Sequence, residues 1–169
     1  MIKEISVDVD FNGMIIFDYP GILNAFNGNI NDEQNILEEF TTTDKGDFVL
    51  DEGIALPIMG IDDGTYLVRF FADETPSDKN RKVIFSDKPF YLKVTGELYV
   101  ADMAVFWEWE DYTGWKKTNI PKGIYEVCLE GVQLVNEENE ITYGYDVIMN
   151  SISELKVRTI EPRSDSRVY

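Results

Sequence analysis

The side chains that could do chemistry in this chain are carboxylates, since it carries thirty-two Asp and Glu residues and no histidine. Without histidine there is no Ser-His or Cys-His nucleophile pair, and most transition-metal sites lose their commonest ligand. Paired carboxylates can hydrolyse glycosidic bonds, but among so many acids some pairs fall within range of each other by chance. No nucleotide-binding or serine-hydrolase motif is present. We therefore expect a protein that is not an enzyme.

The single cysteine, Cys128, has the wrong surroundings for a nucleophile. On its predicted strand it shares a face with Glu126 and Glu130, whose charges would raise the pKa of the thiol and oppose thiolate formation. An asparagine-rich stretch before Glu38 has the spacing of a calcium-binding loop, but Asp32 stands where that loop requires glycine. We expect no metal and no cofactor.

The acidic residues are concentrated in the first third of the chain. Residues 1–64 hold fourteen Asp and Glu against two lysines, whereas residues 65–169 hold eighteen acids and thirteen bases. Such a region steers cationic partners and repels nucleic acid. We expect a non-enzymatic inhibitor or immunity-type protein that binds a basic protein, such as a nuclease, by an acidic surface. The candidate contact residues are Asp8, Asp10, Asp18, Asp32, Glu33, Glu38, Glu39, Asp44, Asp47, Asp51, Glu52, Asp62 and Asp63.

Aromatic residues could anchor this contact, and all three tryptophans lie in one short segment. If that segment is extended, Trp107 and Trp109 share one face, and we expect this face to be buried because large aromatic side chains usually are. Trp115 is expected to be exposed. The candidate anchors are Trp107, Trp109, Tyr112 and Trp115. An alternative function is a carbohydrate- or peptide-binding module that uses this segment.

Alternation of polar and apolar residues dominates the chain and predicts β-strands. The predicted strands are residues 5–9, 14–19, 48–50, 54–59, 65–72, 82–85, 90–94, 98–109, 124–135, 141–149 and 154–159. Asn12-Gly13 is a hairpin signal between the first two. One helix is expected at about residues 31–40, capped by Asn31 or Asp32. These elements predict a mainly β protein, an antiparallel sandwich or barrel with one short helix.

The length predicts one domain, over residues 1–160, with a C-terminal tail at 161–169. Residues 61–70 and 120–129 carry Ile, Gly, Tyr and Val at equal offsets. Either the sandwich has two equivalent halves, or a common turn-to-strand pattern recurs by chance. The end of the chain, residues 156–169, is locally basic and is expected either to dock on the acidic region or to be mobile.

The order of motifs between Gly64 and Leu129 resembles a known family. A Gly-x-Tyr strand with Arg69-Phe70 leads through a charged loop to Lys88-Pro-Phe-Tyr-Leu-Lys-Val94, and Ile120-Pro-Lys-Gly-Ile-Tyr125 follows. This order is similar to that of the competence-associated DNA-entry nuclease inhibitors and the related β-sandwich immunity proteins of bacterial toxin systems. The resemblance implies a small bacterial protein that binds and silences an enzyme.

The N-terminal residues alternate in polarity and lack the apolar run of a signal peptide. No stretch of the sequence approaches the length of apolar residues that crosses a bilayer. We therefore expect a cytoplasmic protein that contacts neither membrane nor nucleic acid.

Overall fold

Strand β2 (Gly13–Asp18) is buried along its whole length in the computed structural model, which describes residues 2–169. Its sequence, Gly-Met-Ile-Ile-Phe-Asp, lacks the alternation of a half-buried strand, so both of its faces require cover. Met14 and Ile16 belong to one hydrophobic core, whereas Ile15 and Phe17 belong to another. The protein accordingly has three layers, with β2 in the middle one.

The middle layer is a four-stranded antiparallel sheet. Its strands, in spatial order, are β3 (Ala55–Met59), β2, β6 (Leu98–Asp102) and β7 (Lys116–Lys117). Leu56, Ile58 and Val100 join Met14 and Ile16 on the face that meets the first outer layer.

The first outer layer is a five-stranded sheet. Its strands, in spatial order, are β1 (Ile2–Val9), β4 (Gly64–Ala72), β9 (Ile141–Ile152), β8 (Gly123–Val135) and β5 (Arg81–Val94). Strands β4 and β9 are parallel, and the other neighbours are antiparallel. Val68, Leu92 and Val147 point into the core between the two sheets.

The second outer layer, hereafter the helical layer, covers the other face of the middle sheet. It contains four short helices and the segment 108–115 that follows the last of them. The helices are α1 (Tyr19–Ala25), α2 (Ile36–Thr42), α3 (Lys45–Asp51) and α4 (Ala104–Trp107). Ile22, Ile36, Val49 and Phe106 pack with Phe17 in the second core.

The expected mainly β, sandwich-like fold is confirmed, and the described strands form two open sheets rather than a closed barrel. The single-helix prediction is incomplete. The helix expected at residues 31–40 begins only at Ile36, because Asn35 is the cap and accepts a hydrogen bond from the Glu38 amide at 2.9 Å. Residues 48–50 lie in α3 instead of a strand, since periodicity does not separate strand from helix in such a short apolar run.

Two further connections differ from the predictions. The Asn12-Gly13 turn does not close a hairpin, because β1 pairs with β4 and β2 pairs with β3 and β6 in the other sheet. The strand predicted at residues 98–109 ends at Asp102, where the chain turns into α4. Residues 154–159 form no strand.

Within residues 2–169 there is no helix with the length and apolar character needed to cross a membrane.

The C-terminal tail is packed into the fold. The Ser166 amide donates to the carbonyl of Met59 at 3.0 Å, and the Tyr145 hydroxyl donates to the carbonyl of Ser166 at 2.7 Å. Val168 is fully buried in the core between the two sheets. The tail therefore fastens the middle sheet to the five-stranded sheet.

The two similar sequence segments form the same local corner. The Tyr66 hydroxyl donates to the carbonyl of Asp62 at 2.8 Å, and the Tyr125 hydroxyl donates to the carbonyl of Pro121 at 2.9 Å. This is the hydrogen bond of the tyrosine corner of β-sandwiches, in which the ring reaches back over the preceding turn. Both corners begin strands of the five-stranded sheet, and the equivalence of two halves stays a prediction.

Asp18 is fully buried and cannot meet a partner, contrary to its place among the candidate contact residues. One carboxylate oxygen accepts from the Gly21 amide at 3.1 Å and the Thr95 hydroxyl at 2.6 Å. The other accepts from the amides of Thr95 and Gly96 at 3.0 and 3.1 Å. Asp18 thus caps α1 and holds the turn between β5 and β6.

We expect Asp18→Ala to lower the free energy of unfolding by about 2–4 kcal/mol, because four donors lose their acceptor and one helix loses its cap. Urea denaturation, monitored by circular dichroism, measures the change in the free energy of unfolding. Asp63→Ala, at an exposed position, is the control and should leave the midpoint unchanged. Equal effects of the two substitutions would contradict the role given to Asp18.

Candidate functional site

The acidic residues of the first third fall into two separate groups. Asp8 and Asp10 at the end of β1 lie near Asp62 and Asp63, because Asp8 pairs with Thr65 at the start of β4. Apart from the buried Asp18, the other candidates lie in or beside the helical layer. They are Asp32, Glu33, Glu38, Glu39, Asp44, Asp47, Asp51 and Glu52. The acidic region of the sequence is therefore divided between two layers of the fold.

Basic side chains already pair with part of the second group. Lys45 lies 3.1 Å from Glu39, and Arg158 lies 3.3 Å from Asp47 and 2.8 Å from Asp51. The basic end of the chain thus docks on α3, as one of the two sequence interpretations expected. Asp32 and Glu33 belong to none of these pairs and are exposed.

A second acidic stretch, residues 108–111, joins residues 32–33. Aromatic residues of this segment are among the predicted anchors, whereas its acids are not among the predicted contact residues. The Glu33 amide donates to the carbonyl of Trp109 at 2.8 Å, and the Trp109 amide donates to the carbonyl of Gln34 at 3.1 Å. These bonds place Glu108 and Glu110 beside Glu33. One feature of the sequence indicates this surface, namely the alternation of acidic and aromatic residues after Phe106.

Exposed aromatic rings flank this second stretch. Trp107 and Tyr112 are 49% and 57% exposed, and Phe11, 38% exposed, has its ring centroid 5.5 Å from that of Trp107. These exposed acids and rings are hereafter called the acidic-aromatic surface. It consists of Phe11, Asp32, Glu33, Trp107, Glu108, Glu110, Asp111 and Tyr112.

The predicted exposure of the tryptophans was wrong for two of the three. Trp115 is 9% exposed rather than open to solvent, and Trp107 is exposed rather than buried, whereas Trp109 is fully buried as expected. The reason is that the chain turns after α4, so the alternation of an extended strand does not apply. Trp109 and Trp115 therefore cannot act as anchors for a partner. A carbohydrate-binding function would depend on Trp107 and Tyr112.

The two buried tryptophans belong to an aromatic cluster that supports the surface from beneath. The Trp115 ring centroid lies 5.1 Å from those of Phe17, Tyr19, Trp109 and Tyr112. The Trp109 indole N–H donates to the Asp111 carboxylate at 2.8 Å, whereas the Trp115 indole N–H has no acceptor among the described residues. Burial and the Asp111 carboxylate raise the pKa of Tyr19 to about 12, so its hydroxyl is neutral at physiological pH.

A buried charge network lies on the outer face of the five-stranded sheet. Arg69 donates to both oxygens of Asp146, at 2.7 and 2.8 Å, and to Asp78 at 3.0 Å. Arg81 donates to Asp146 at 2.6 Å and also contacts Glu130. Burial alone would lower the pKa of Arg69, but its bonds to Asp146 raise it overall. Since carboxylates hold both guanidinium groups, this network holds neighbouring strands of the sheet together.

Cys128 lies at the edge of that network. Its sulfur is 3.3 Å from the Ser86 hydroxyl and 3.9 Å from a Glu130 carboxylate oxygen. Burial, with a further contribution from the charge of Glu130, raises the pKa of the thiol. The direction agrees with the sequence argument, although burial is the larger cause. Among residues 2–169, no group of His, Cys, Asp or Glu side chains has an arrangement that could hold a metal ion.

Comparison with known proteins gives one structural likeness. The solved structure of the protein named "Crocagin biosynthetic gene J" has a TM-score of 0.53 and 14% identity, with 89% of this chain and 97% of that chain covered. At this identity the likeness concerns the fold alone. No family of proteins matches the chain, and no curated protein matches it.

The burial of the tryptophans gives a test by fluorescence quenching. We expect Trp107→Phe to remove most of the emission that acrylamide quenches, because the other two indoles are covered. Caesium should quench more strongly than iodide, since Glu108 and Glu110 attract cations. Trp115→Phe is the control and should keep the accessible emission. Loss of that emission with Trp115→Phe would contradict the assignment.

Proposed function

We propose that this chain is a non-enzymatic protein that binds a basic protein on the acidic-aromatic surface. The observation that carries the proposal is the meeting of two distant acidic stretches, residues 32–33 and 108–111, beside the exposed rings of Trp107 and Tyr112. Neither stretch alone forms such a surface. A folded support, the aromatic cluster around Trp115, lies directly beneath it.

The chemistry of this surface fits a partner rich in lysine and arginine. Exposed carboxylates accelerate association with a cationic protein and set its orientation. Aromatic rings near the centre of a contact supply most of its affinity, and tryptophan and tyrosine faces also attract guanidinium and ammonium groups. The acids would thus govern the association rate, and Trp107 and Tyr112 would govern the lifetime of the complex.

Silencing of an enzyme is the form of this function that we favour. Carboxylates imitate phosphates electrostatically, so the cationic groove of a nuclease is a suitable partner. The resemblance of residues 64–129 to nuclease inhibitors and immunity proteins supports this form. The structural neighbour is a biosynthetic gene product by name, and a non-catalytic protein that holds a basic segment of another protein is compatible with such a setting.

A pull-down with two matched triple variants tests the proposal. The first is Glu33→Gln, Glu108→Gln and Glu110→Gln on the acidic-aromatic surface. The second is Glu4→Gln, Asp63→Asn and Glu137→Gln, which changes the net charge equally at exposed positions away from this surface. We expect the first to weaken capture of a basic partner about tenfold or more, since each exposed charge contributes modestly. The second should leave capture nearly unchanged.

A change in salt concentration and the removal of one aromatic ring give the second half of the test. Raising the ionic strength from low to high should weaken capture by the unmodified protein, because screening shortens the reach of the exposed charges. Trp107→Ala, a change at an exposed ring, should weaken capture with no loss of folding. Capture that ignores salt, or that the two triple variants reduce equally, would contradict the proposed surface.

A further inference from the structure

A cavity of about 380 Å³ lies between helices α2 and α3 and the middle sheet. Apolar side chains form most of its walls, among them Ile15, Phe40, Val49, Ala55 and Met103. Its volume is within the range of sites that hold small organic molecules. No residue of the acidic-aromatic surface lines this cavity, so it is a separate site.

A tight contact between helices α2 and α3 forms part of the cavity wall. Helices α2 and α3 have seven residues each and meet where Gly46 approaches the carbonyl of Phe40. A Cβ at position 46 would lie 2.0 Å from that oxygen, so the approach admits only glycine. The opposite wall includes Ala55, whose side chain is too small to fill the space. A ligand that binds the folded chain here and not the unfolded chain would stabilise the fold.

The polar groups at the mouth of the cavity are negative. Asp47 and Glu161 line it, with side chains 73% and 76% exposed. Arg158 contacts both of them and Asp51, so one guanidinium faces three carboxylates. The hydroxyl of Thr41, another lining residue, already donates to the Leu37 carbonyl at 3.1 Å. A ligand therefore meets an apolar interior and a mouth with an excess of negative charge.

We propose that this cavity binds a small amphipathic organic cation. The apolar body of the ligand lies among Phe40, Val49 and Ala55, and its ammonium group lies at the mouth beside Asp47 and Glu161. Charge complementarity selects the cation, because an anionic head group would be repelled at the mouth and a neutral one would gain no ion pair. This inference does not depend on the proposed function.

A matched series of probes tests the cavity in the full-length protein. The probes are n-octylammonium, n-octanol and n-octanoate, each below its solubility limit or micelle concentration. Binding is measured by calorimetry and by the shift in Tm. We expect octylammonium to bind about fivefold more tightly than octanol, and octanoate to bind more weakly than octanol. Shortening the chain should weaken binding about fourfold for each methylene removed.

Variants locate the binding. Asp47→Asn with Glu161→Gln should remove the preference for octylammonium over octanol and leave octanol binding unchanged. Glu4→Gln with Asp63→Asn changes the net charge equally at other positions and should keep the preference. Ala55→Leu should weaken the binding of all three probes, because the larger side chain partly fills the cavity.

Three results would overturn the proposal. The first is the absence of binding by any probe to the unmodified protein. The second is octanoate binding as tightly as octylammonium. The third is an equal effect of the mouth variant and its control. Since none of these requires Ala55→Leu to fold, the proposal remains testable if that variant is unstable.

Discussion

The burial of β2 on both faces is the constraint on which the rest of the structure depends. Met14 and Ile16 face the five-stranded sheet, and Ile15 and Phe17 face the helical layer. Two sheets alone would leave Ile15 and Phe17 in water, so a third layer is required. The short helices and the buried rings of Trp109 and Trp115 supply it. Acids on the outer side of this layer then form a supported surface.

The strands were the predictable part of the fold. Alternation located β4, β8 and β9 closely, because each has one face toward the core and one toward polar surroundings. The same reasoning failed in the helical layer, where short apolar runs such as residues 48–50 are compatible with either helix or strand. It also failed at Asn12-Gly13, since a turn signal does not specify whether the next strand pairs in the same sheet.

The candidate site was predictable in composition but not in arrangement. The bias toward acidic residues in residues 1–64 was visible, yet the Asp18 carboxylate accepts four hydrogen bonds and Glu39 pairs with Lys45. The acids that complete the acidic-aromatic surface come from residues 108–111. Two backbone hydrogen bonds bring them beside Glu33, and no local sequence pattern encodes such a long-range contact. Burial of Trp115 likewise depends on a neighbouring layer.

The central claim is that basic partners contact the acidic-aromatic surface and not the acidic residues where β1 ends and β4 begins. Nuclear magnetic resonance of the nitrogen-labelled protein, titrated with a short peptide of alternating lysine and glycine, tests it most directly. The account predicts the largest saturable shifts at Glu33, Glu108, Glu110 and the Trp107 indole, with reversal by salt. Larger shifts at Asp8 and residues 62–63, or shifts spread evenly over all acidic residues, would contradict it.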